Sequence, residues 1–352
     1  MAALRFQHSV IDADPPGKRN DICLPGDIDG DGLQDVVIGG YDGEDNVVWY
    51  RAPDWRRFTI GTACCEAGGV LVDLTSNGRL DLVVGNPYTG NELYWFECPD
   101  DPTQRWTRRV IENEFKKYHD QAVGDVDGDG RPELVFLSQI GKVLGVFRIP
   151  ADPRVEPWPR DHRRILLEGE TVEGLAVADV DGDGRQEIVA GGNVLKLTGP
   201  EWQRTRFSDF ALPVVATGDL LGDGRTCIVM TEGEADRGRA AWFEPPDWTE
   251  HLLADDLWHP HSLGVADFDG DDRLDIFTAE MGLGKCDRPR LIVYRNLGGG
   301  QFEPHVIDDR HPTHHAKVIQ VAGAHLPSII GKSFHPTNQV DLWVNETENG
   351  GA

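Results

Sequence analysis

The sequence predicts an all-β protein built from seven four-stranded sheets, because an acidic loop and the strands around it recur along the chain. The loop has the form Asp-x-Asp-Gly-Asp-Gly-x-x-Asp/Glu, and six exact or near copies of it begin at Asp27, Asp73, Asp125, Asp179, Asp219 and Asp267. A seventh unit begins at Gln320 and keeps the central Gly323, but it has no carboxylate. Successive units begin 40 to 54 residues apart, which is the spacing of repeated supersecondary units.

Each unit is predicted to contain four strands in a fixed order. Strand one is the short apolar stretch before the loop, such as Leu175–Ala178, and strand two follows the loop, as in residues 81–84. Strand three is rich in aromatic residues, as in residues 92–96, and strand four resembles residues 107–111. β-Branched and aromatic residues between turn residues are typical of strands. No window shows the periodicity of an amphipathic helix.

The N-terminal segment is predicted to supply a strand that the last unit lacks. Residues 4–12 share a Phe, a His and a Val-Ile-Asp ending with the fourth strand at residues 302–308, whereas the seventh unit ends near Trp343 without a fourth strand. Residues 3–12 would therefore complete blade seven. The result is a seven-bladed β-propeller over residues 1–352 as a single domain, since radial closure protects sheet edges. An open solenoid of four-stranded units is the alternative.

The acidic loops, each followed by strand two, resemble FG-GAP/VCBS repeats, which form seven-bladed propellers such as the head of integrin α-subunits. The resemblance covers essentially the whole chain, and it implies the propeller fold. It implies less about activity, because that family includes adhesion proteins, bacterial secreted proteins and carbohydrate-active lyases.

Composition excludes several classes of partner. The formal net charge of −26 argues against nucleic acid and against an anionic membrane surface, because both need a basic footprint. No stretch of about 18 apolar residues is present, and the N-terminus has no signal-peptide pattern, so we expect a cytoplasmic protein or a secreted one whose signal has been removed. The six cysteines follow no disulfide or zinc spacing, which predicts buried thiols.

The acidic loops are predicted to hold four or five structural Ca²⁺ ions, because alternating aspartates and a ninth-position carboxylate supply the hard oxygens that calcium prefers. Loop five has Leu221 at its third place and Cys227 at its ninth, so we expect no ion there. The expected ligands are Asp27, Asp29, Asp31 and Asp35 in loop one; Asp73, Thr75, Asn77 and Asp81 in loop two; Asp125, Asp127, Asp129 and Glu133 in loop three; Asp179, Asp181, Asp183 and Glu187 in loop four; and Asp267, Asp269, Asp271 and Asp275 in loop six.

The opposite ends of the first strands gather titratable residues. Six of the 12 histidines are predicted to lie on that face, near the propeller axis: His119, His259, His261, His314, His315 and His335. Loop histidines that bond to backbone carbonyls are the plain structural explanation. A functional cluster is the preferred one, since titratable groups gathered in a concavity are typical of a site.

The residues on this face suit proton transfer. No nucleophile elbow and no nucleotide-binding glycine motif is present, whereas His, Lys and Tyr beside carboxylates can supply a base, an acid and a cation for enolate stabilisation. The predicted catalytic residues are His119 or His261 as base, Tyr88 or a second histidine as acid, and Lys332 or a divalent metal on His314 and His315 as electrophile. The predicted substrate-binding residues are Asp21, Glu173, His259, Glu280, His335 and Trp258.

The chain also resembles the propeller domain of aldos-2-ulose (1,5-anhydrofructose) dehydratases and propeller polysaccharide lyases, whose sites lie on the axial face. This resemblance implies a lyase or dehydratase that acts by β-elimination on an oxidised sugar, with a carbohydrate or a sugar-derived small molecule as partner. A non-catalytic propeller that binds a glycan or a protein is the alternative. Trp158 and Trp258 lie outside the third strands and would serve it. Glycoside hydrolysis by Glu173 and Glu280 is a third hypothesis.

Overall fold

The structure, a computed structural model, describes residues 3–283, 286–333 and 337–348. These residues form 28 strands in seven antiparallel sheets of four, and the one helical segment among them is the 3-10 turn Arg160–His162. The predicted all-β, seven-bladed β-propeller is therefore confirmed. Within the described ranges, no helix has the length and apolar character needed to cross a membrane.

Each sheet is one blade, and blades one to four follow the order of the chain. The strands of blade one are β2 (Lys18–Gly26), β3 (Asp35–Asp42), β4 (Val47–Arg51) and β5 (Arg56–Gly61). Those of blade two are β6 (Val70–Val72), β7 (Asp81–Gly85), β8 (Leu93–Glu97) and β9 (Thr107–Glu112). Those of blade three are β10 (Tyr118–Gly124), β11 (Glu133–Ser138), β12 (Val143–Arg148) and β13 (Arg163–Glu168). Those of blade four are β14 (Leu175–Ala178), β15 (Glu187–Ala190), β16 (Asn193–Thr198) and β17 (Glu201–Arg206).

Blades five to seven continue the same pattern. The strands of blade five are β18 (Pro213–Gly218), β19 (Cys227–Glu232), β20 (Gly238–Glu244) and β21 (Thr249–Leu257). Those of blade six are β22 (Ser262–Ala266), β23 (Asp275–Ala279), β24 (Leu291–Gly298) and β25 (Gln301–Asp308). Those of blade seven are β26 (His314–Ile319), β27 (Ser328–Lys332), β28 (Val340–Asn345) and the N-terminal strand β1 (Phe6–Asp12).

The N-terminal strand completes blade seven, as the sequence predicts. β1 pairs antiparallel with β28, and the register places Phe6 opposite Asn345 and His8 opposite Trp343. This pairing gives the seventh sheet the fourth strand that its own segment lacks.

The chain divides into two compact units. The first unit comprises Met1–Pro15, Ala178–Gly184 and Phe207–Ala352, and it contains blades five, six and seven. The second unit comprises Pro16–Val177 and Arg185–Arg206, and it contains blades one to three and the strands of blade four up to Val177 and from Arg185. The expectation that residues 1–352 form a single domain stays a prediction.

Within each compact unit the core lies between neighbouring blades, and the central strands are covered on both faces. Every residue of β7 is buried, and its Leu82 and Val84 belong to a cluster that also contains Val37 and Trp49 of blade one. Strands covered on both faces need continuous apolar runs rather than alternation. This explains why the second strand of each unit is the most readable part of the repeat.

The tryptophans of the third strands pack inside the blades, as expected. Trp49, Trp95, Trp242 and Trp343 are at most 1% exposed. The expectation that Trp158 is available for binding is wrong, because its ring packs edge-on against Phe147 and its Nε1 donates to the carbonyl of Pro153 at 2.9 Å. All six cysteines are free thiols, and four of them are buried, namely Cys23, Cys65, Cys98 and Cys227.

Candidate functional site

The first aspartate of each acidic loop organises the loop backbone. In loop one, Asp27 Oδ1 accepts the amide hydrogen of Gly30 at 2.8 Å, and Oδ2 accepts that of Gly32 at 3.0 Å. Both glycines have positive φ, of 76° and 88°, a conformation in which other residues are strained. The turn therefore favours glycine at both places, although Ser76 in loop two and Asp272 in loop six have positive φ, of 56° and 66°, at the equivalent positions.

The ninth-position carboxylate ties the loop to the blade. Asp35 is fully buried, and its oxygens accept the amide hydrogens of Ile28 at 3.0 Å and Ala52 at 2.8 Å, which joins the loop to the end of β4. Asp81 and Asp275 make the same pair of bonds in loops two and six. Burial raises the pKa of Asp35 and Asp81 to about 6. This residue has a structural role besides the ligand role predicted from the sequence.

The loop oxygens converge in a way that fits a hard cation. Asp27, Asp29 and Asp31 place carboxylate oxygens within 4.8 Å of one another, and so do Asp125, Asp127 and Glu133. In loop two, the hydroxyl of Thr75 at the third position is buried and has no hydrogen-bond partner among the described residues. Such an orphaned oxygen fits a bound ion or water at that position.

Loops five and six differ from this pattern. In loop five, Asp223 receives two hydrogen bonds from Arg225, at 2.9 and 2.6 Å, so a guanidinium supplies positive charge. In loop six, Asp269 and Asp271 contact Arg295 and Arg273, respectively. Loop six therefore carries positive charge where the sequence predicts an ion. Loop five has the apolar third position that the sequence analysis identified.

Three buried histidines lie close together where β22 and β26 begin, in the first of the two compact units. We refer to His261, His314 and His315 as the three-histidine cluster. They are 1%, 5% and 5% exposed, and their ring centroids lie 4.4 to 4.7 Å apart. One nitrogen from each lies within 4.8 Å of the others. The sequence predicted all three for one surface, and the structure brings them into contact.

A lysine and a glutamate extend the three-histidine cluster. Lys332 ends β27, is fully buried, and donates to His314 Nδ1 at 2.8 Å. His261 Nε2 lies 3.3 Å from a carboxylate oxygen of Glu234, in the loop between β19 and β20. Glu234 was not among the site residues predicted from the sequence. The residue sits two places after Glu232, which instead binds Arg239.

Unusual backbone conformations hold the cluster. His259 and His315 have positive φ, of 43° and 54°, which is uncommon for residues other than glycine. The amide hydrogen of His315 bonds to the carbonyl of His261 at 3.3 Å, so β22 and β26 are joined at the cluster itself. Left-handed residues at a buried polar cluster are typical of functional sites.

The other predicted residues of the first unit have mainly structural partners. Glu280 accepts the amide hydrogens of Trp258 at 2.8 Å and Arg290 at 2.7 Å, and it pairs with the Arg290 side chain. His259 Nε2 lies 3.0 Å from Asp236. Glu280 is therefore better described as a residue that positions Trp258 than as a contact to substrate. His335 lies outside the described residues.

A second polar cluster, in the second unit, surrounds His119; we refer to it as the His119 cluster. His119 is 3% exposed, and its Nδ1 lies 2.9 Å from Asp120 Oδ2 while its Nε2 lies 3.7 Å from Glu173 Oε1. Glu173 also accepts a hydrogen bond from Gln139, which the sequence analysis missed. Glu66 lies 3.9 Å from the imidazole.

The charge of the His119 cluster decides the protonation of its histidine. Burial lowers the pKa of His119, but the negative charges of Glu173 and Asp120 outweigh burial and raise the pKa to about 10. The imidazole is therefore protonated at neutral pH. A protonated histidine can donate a proton or hold an anion, but it is not available as a base.

Asp21 and Tyr88 also lie in the second unit. Asp21, in β2, is 6% exposed. Tyr88 is 54% exposed, and its ring lies 5.8 Å from that of Tyr41. The Tyr41 hydroxyl donates to Thr89 at 3.2 Å, and the guanidinium of Arg19 lies over the Tyr41 ring. The structure thus makes Tyr88 part of an exposed aromatic surface.

Comparison with known proteins supports the fold. A family model described as FG-GAP-like repeat matches residues 73–136 and 125–190. No curated protein matches the chain. The dihydro-heme d1 dehydrogenase NirN, solved in complex with DHE, aligns with a TM-score of 0.53 at 14% identity, over 94% of this chain and 67% of its own.

A second solved structure aligns equally broadly. The rhamnogalacturonan lyase PL11 of Bacillus licheniformis aligns with a TM-score of 0.52 at 13% identity, over 97% of this chain and 75% of its own. At these identities the two likenesses concern the fold alone. Blade topology and structural neighbours agree that the chain is a seven-bladed β-propeller, and residues 73–190 match the FG-GAP-like repeat.

Proposed function

We propose that this protein is a carbohydrate lyase or dehydratase that abstracts a proton from an oxidised sugar, a ulose or a uronate, and eliminates the β-substituent. The observation that carries the proposal is the three-histidine cluster with Lys332, which places imidazoles and an amine in a buried setting. Elimination next to a carbonyl or carboxylate needs a base, an acid and a stabiliser of the enolate. A rhamnogalacturonan lyase has the same fold, so a propeller is compatible with this substrate class.

His261 is the base in this proposal. Its Nε2 lies 3.3 Å from Glu234, and a carboxylate beside an imidazole favours the protonated state that forms when the base accepts a proton. The pKa of about 10 argues against His119, the other candidate that the sequence offered. His261 takes the proton from the carbon next to the carbonyl, and the electron pair of that bond enters the enolate.

Lys332 and His315 serve the other two roles. An ammonium at Lys332 would stabilise the negative charge on the enolate oxygen. When the enolate collapses, the new carbon–carbon double bond forms and the bond to the β-oxygen breaks. His315 gives that oxygen its proton, so the products are an unsaturated sugar and an alcohol or water. Tyr88, the alternative acid, is exposed beside Tyr41.

The three-histidine cluster also fits a divalent transition metal, since its nitrogen atoms lie within 4.8 Å of one another and imidazole is the usual protein ligand of such ions. In that alternative arrangement His314 and His315 would hold the ion, so His315 would not also serve as the acid. When bound, it would supply Lewis acidity that polarises the sugar carbonyl.

The experiment is an incubation of the purified protein with uronate polymers and with 1,5-anhydrofructose. An elimination product has a conjugated double bond, which ultraviolet absorbance detects. His261→Gln should lower kcat by at least about 100-fold, the usual contribution of a general base. His305→Gln is the matched control, because His305 lies on β25 and pairs with Glu303 at the surface. Full turnover by His261→Gln, with an unchanged circular dichroism spectrum, would reject the proposal.

A non-catalytic glycan-binding propeller is the second candidate. The surface formed by Tyr41 and Tyr88 favours it, because sugar rings stack on exposed aromatic side chains. Binding of an oligosaccharide that weakens in Tyr88→Ala, without any unsaturated product, would support this function over elimination.

We propose in addition that acidic loops one to four hold structural Ca²⁺. Support comes from the convergent oxygens of loops one and three and from the orphaned hydroxyl of Thr75 in loop two. Loop four has the same sequence pattern as loop three. The arginines at Asp269 and Asp271 make loop six a weaker site than the sequence predicts.

A further inference from the structure

A cluster of two histidines and two aspartates lies at the junction between the N-terminal strand and the end of the chain. His8 is on β1, and Asp341 is on β28. Asp308 ends β25, and His311 follows it in the loop to β26. All four lie in the first unit. We refer to them as the junction cluster; they share no residue with the three-histidine cluster.

The contacts within the junction cluster are close. The rings of His8 and His311 stack with centroids 3.8 Å apart and an angle of 18°. His8 Nε2 lies 2.8 Å from Asp341 Oδ1, and His311 Nδ1 lies 2.8 Å from Asp308 Oδ2. Trp343 Nε1 donates to Asp308 Oδ2 at 2.8 Å, which fixes that carboxylate.

The charges of the junction cluster favour a divalent cation. The side chains of Asp341 and Asp308 are only 0% and 4% exposed. One doubly charged ion would match the two negative charges of these carboxylates. In addition, Asp341 Oδ2 is buried and has no hydrogen-bond partner among the described residues, which is costly for a carboxylate.

We propose that the junction cluster binds a divalent transition metal, with His8, His311 and Asp308 as ligands. One donor atom from each lies within 4.8 Å of the others. Two ligands that each lie about 2.0–2.2 Å from zinc are at most about 4.4 Å apart, so small side-chain rotations close the site. The His8 and His311 side chains are 19% and 30% exposed, which gives the ion a route from solvent.

Asp341 acts on the metal through His8. In this arrangement His8 Nε2–H donates to Asp341, and Nδ1 binds the ion, which is the usual carboxylate–histidine–metal pattern. The metal would cross-link β1 to the loop after β25. Its effect would be structural, because it would hold β1 in blade seven. This proposal is independent of the proposed sugar chemistry.

The test uses the whole protein, with Ca²⁺ in excess so that the acidic loops are occupied. Titration with Co²⁺, followed by visible absorbance, should show one site fewer in His8→Gln and in His311→Gln than in the wild type. The wild type and both variants retain His261, His314 and His315, so the difference isolates the junction cluster. Asp341→Asn should weaken that site about 10- to 100-fold. His305→Gln, at the surface of β25, should bind as the wild type does.

A second measurement needs only the wild type. Zn²⁺ at 100 times its dissociation constant should slow amide hydrogen exchange within Phe6–Asp12 about 100-fold, if strand opening breaks the site. The same number of Co²⁺ sites in the wild type and in His8→Gln would overturn the proposal. Unchanged exchange of β1 with Zn²⁺ would overturn it as well, even if the variants fail to fold.

Discussion

Replacing His119 with glutamine should remove a pH-dependent part of the stability of the second unit. The imidazole is 3% exposed and lies 2.9 Å from Asp120 and 3.7 Å from Glu173. Glutamine keeps the approximate size of the side chain but removes the positive charge. It therefore leaves two carboxylates beside a neutral group in a buried setting. Removing one partner of a buried ion pair usually lowers the free energy of unfolding by about 3–5 kcal/mol.

The pKa of His119 sets the pH window. The folded value is about 10, above the ordinary value of 6.5, so folding favours the protonated ring. The stabilisation is complete below pH 6.5 and is lost as the pH rises through 10. The difference between the two pKa values corresponds to at most about 5 kcal/mol. The wild type should therefore lose several kcal/mol between these pH values that the variant never had.

Urea unfolding of both proteins at pH 6.5, 8 and 10, chosen from the two pKa values, measures this difference. Other groups that titrate in this range do so in both proteins, so the difference in unfolding free energy isolates His119. The difference should be largest at the lowest pH and shrink toward the highest. His305→Gln should follow the wild type throughout. If the free energies of unfolding of the wild type and His119→Gln change in parallel with pH, the assignment of a protonated, charge-paired imidazole is refuted.

Two further predictions concern the blades. Asp129→Ala in loop three should remove one equivalent of bound calcium, as measured by metal analysis after dialysis. Asp223→Ala in loop five should leave the calcium content unchanged. Equal losses of calcium in the two variants would show that loop five also binds the ion. Trp95→Ala should lower the free energy of unfolding by about 3–5 kcal/mol, because its side chain is fully buried, whereas Leu252→Ala, at a residue 56% exposed, should change it by about 0.5 kcal/mol or less. Denaturant unfolding measures both changes in free energy, and a loss well below about 3 kcal/mol in Trp95→Ala would show that packing of the third strand contributes less than expected.

The repeats made the fold predictable, because each acidic loop marks the position of two strands and the residues that follow it are apolar on both sides. The origin of the last strand was also visible, since residues 4–12 match a fourth strand and the seventh unit lacks one. Trp158 shows the limit of this reasoning. It lies outside the repeated pattern, and only the folded chain shows that Phe147 covers it.

The composition of the site was partly predictable and its contacts were not. Position within the repeat identified His261, His314 and His315 as neighbours, because equivalent places in adjacent units lie side by side. Pairs such as His261 with Glu234, or Glu173 with Gln139, depend on how loops of different length fold back, and no repeat fixes those. The roles of Asp35, which bonds two backbone amides, and of His119, which is held protonated, likewise come from local geometry and charge.

The pairing of β1 with β28 has a consequence for how the protein is made. His8 and its strand partner Trp343 lie 335 positions apart in the sequence, so this sheet cannot form until the whole segment between them has been synthesised. Until then β1 is an unpaired strand whose backbone groups are open to pairing with other chains. Contacts between residues so distant in sequence form slowly, because the entropy of the long loop is lost first. Completion of blade seven should therefore be a late step in folding, and the interval before it the period of greatest risk of aggregation.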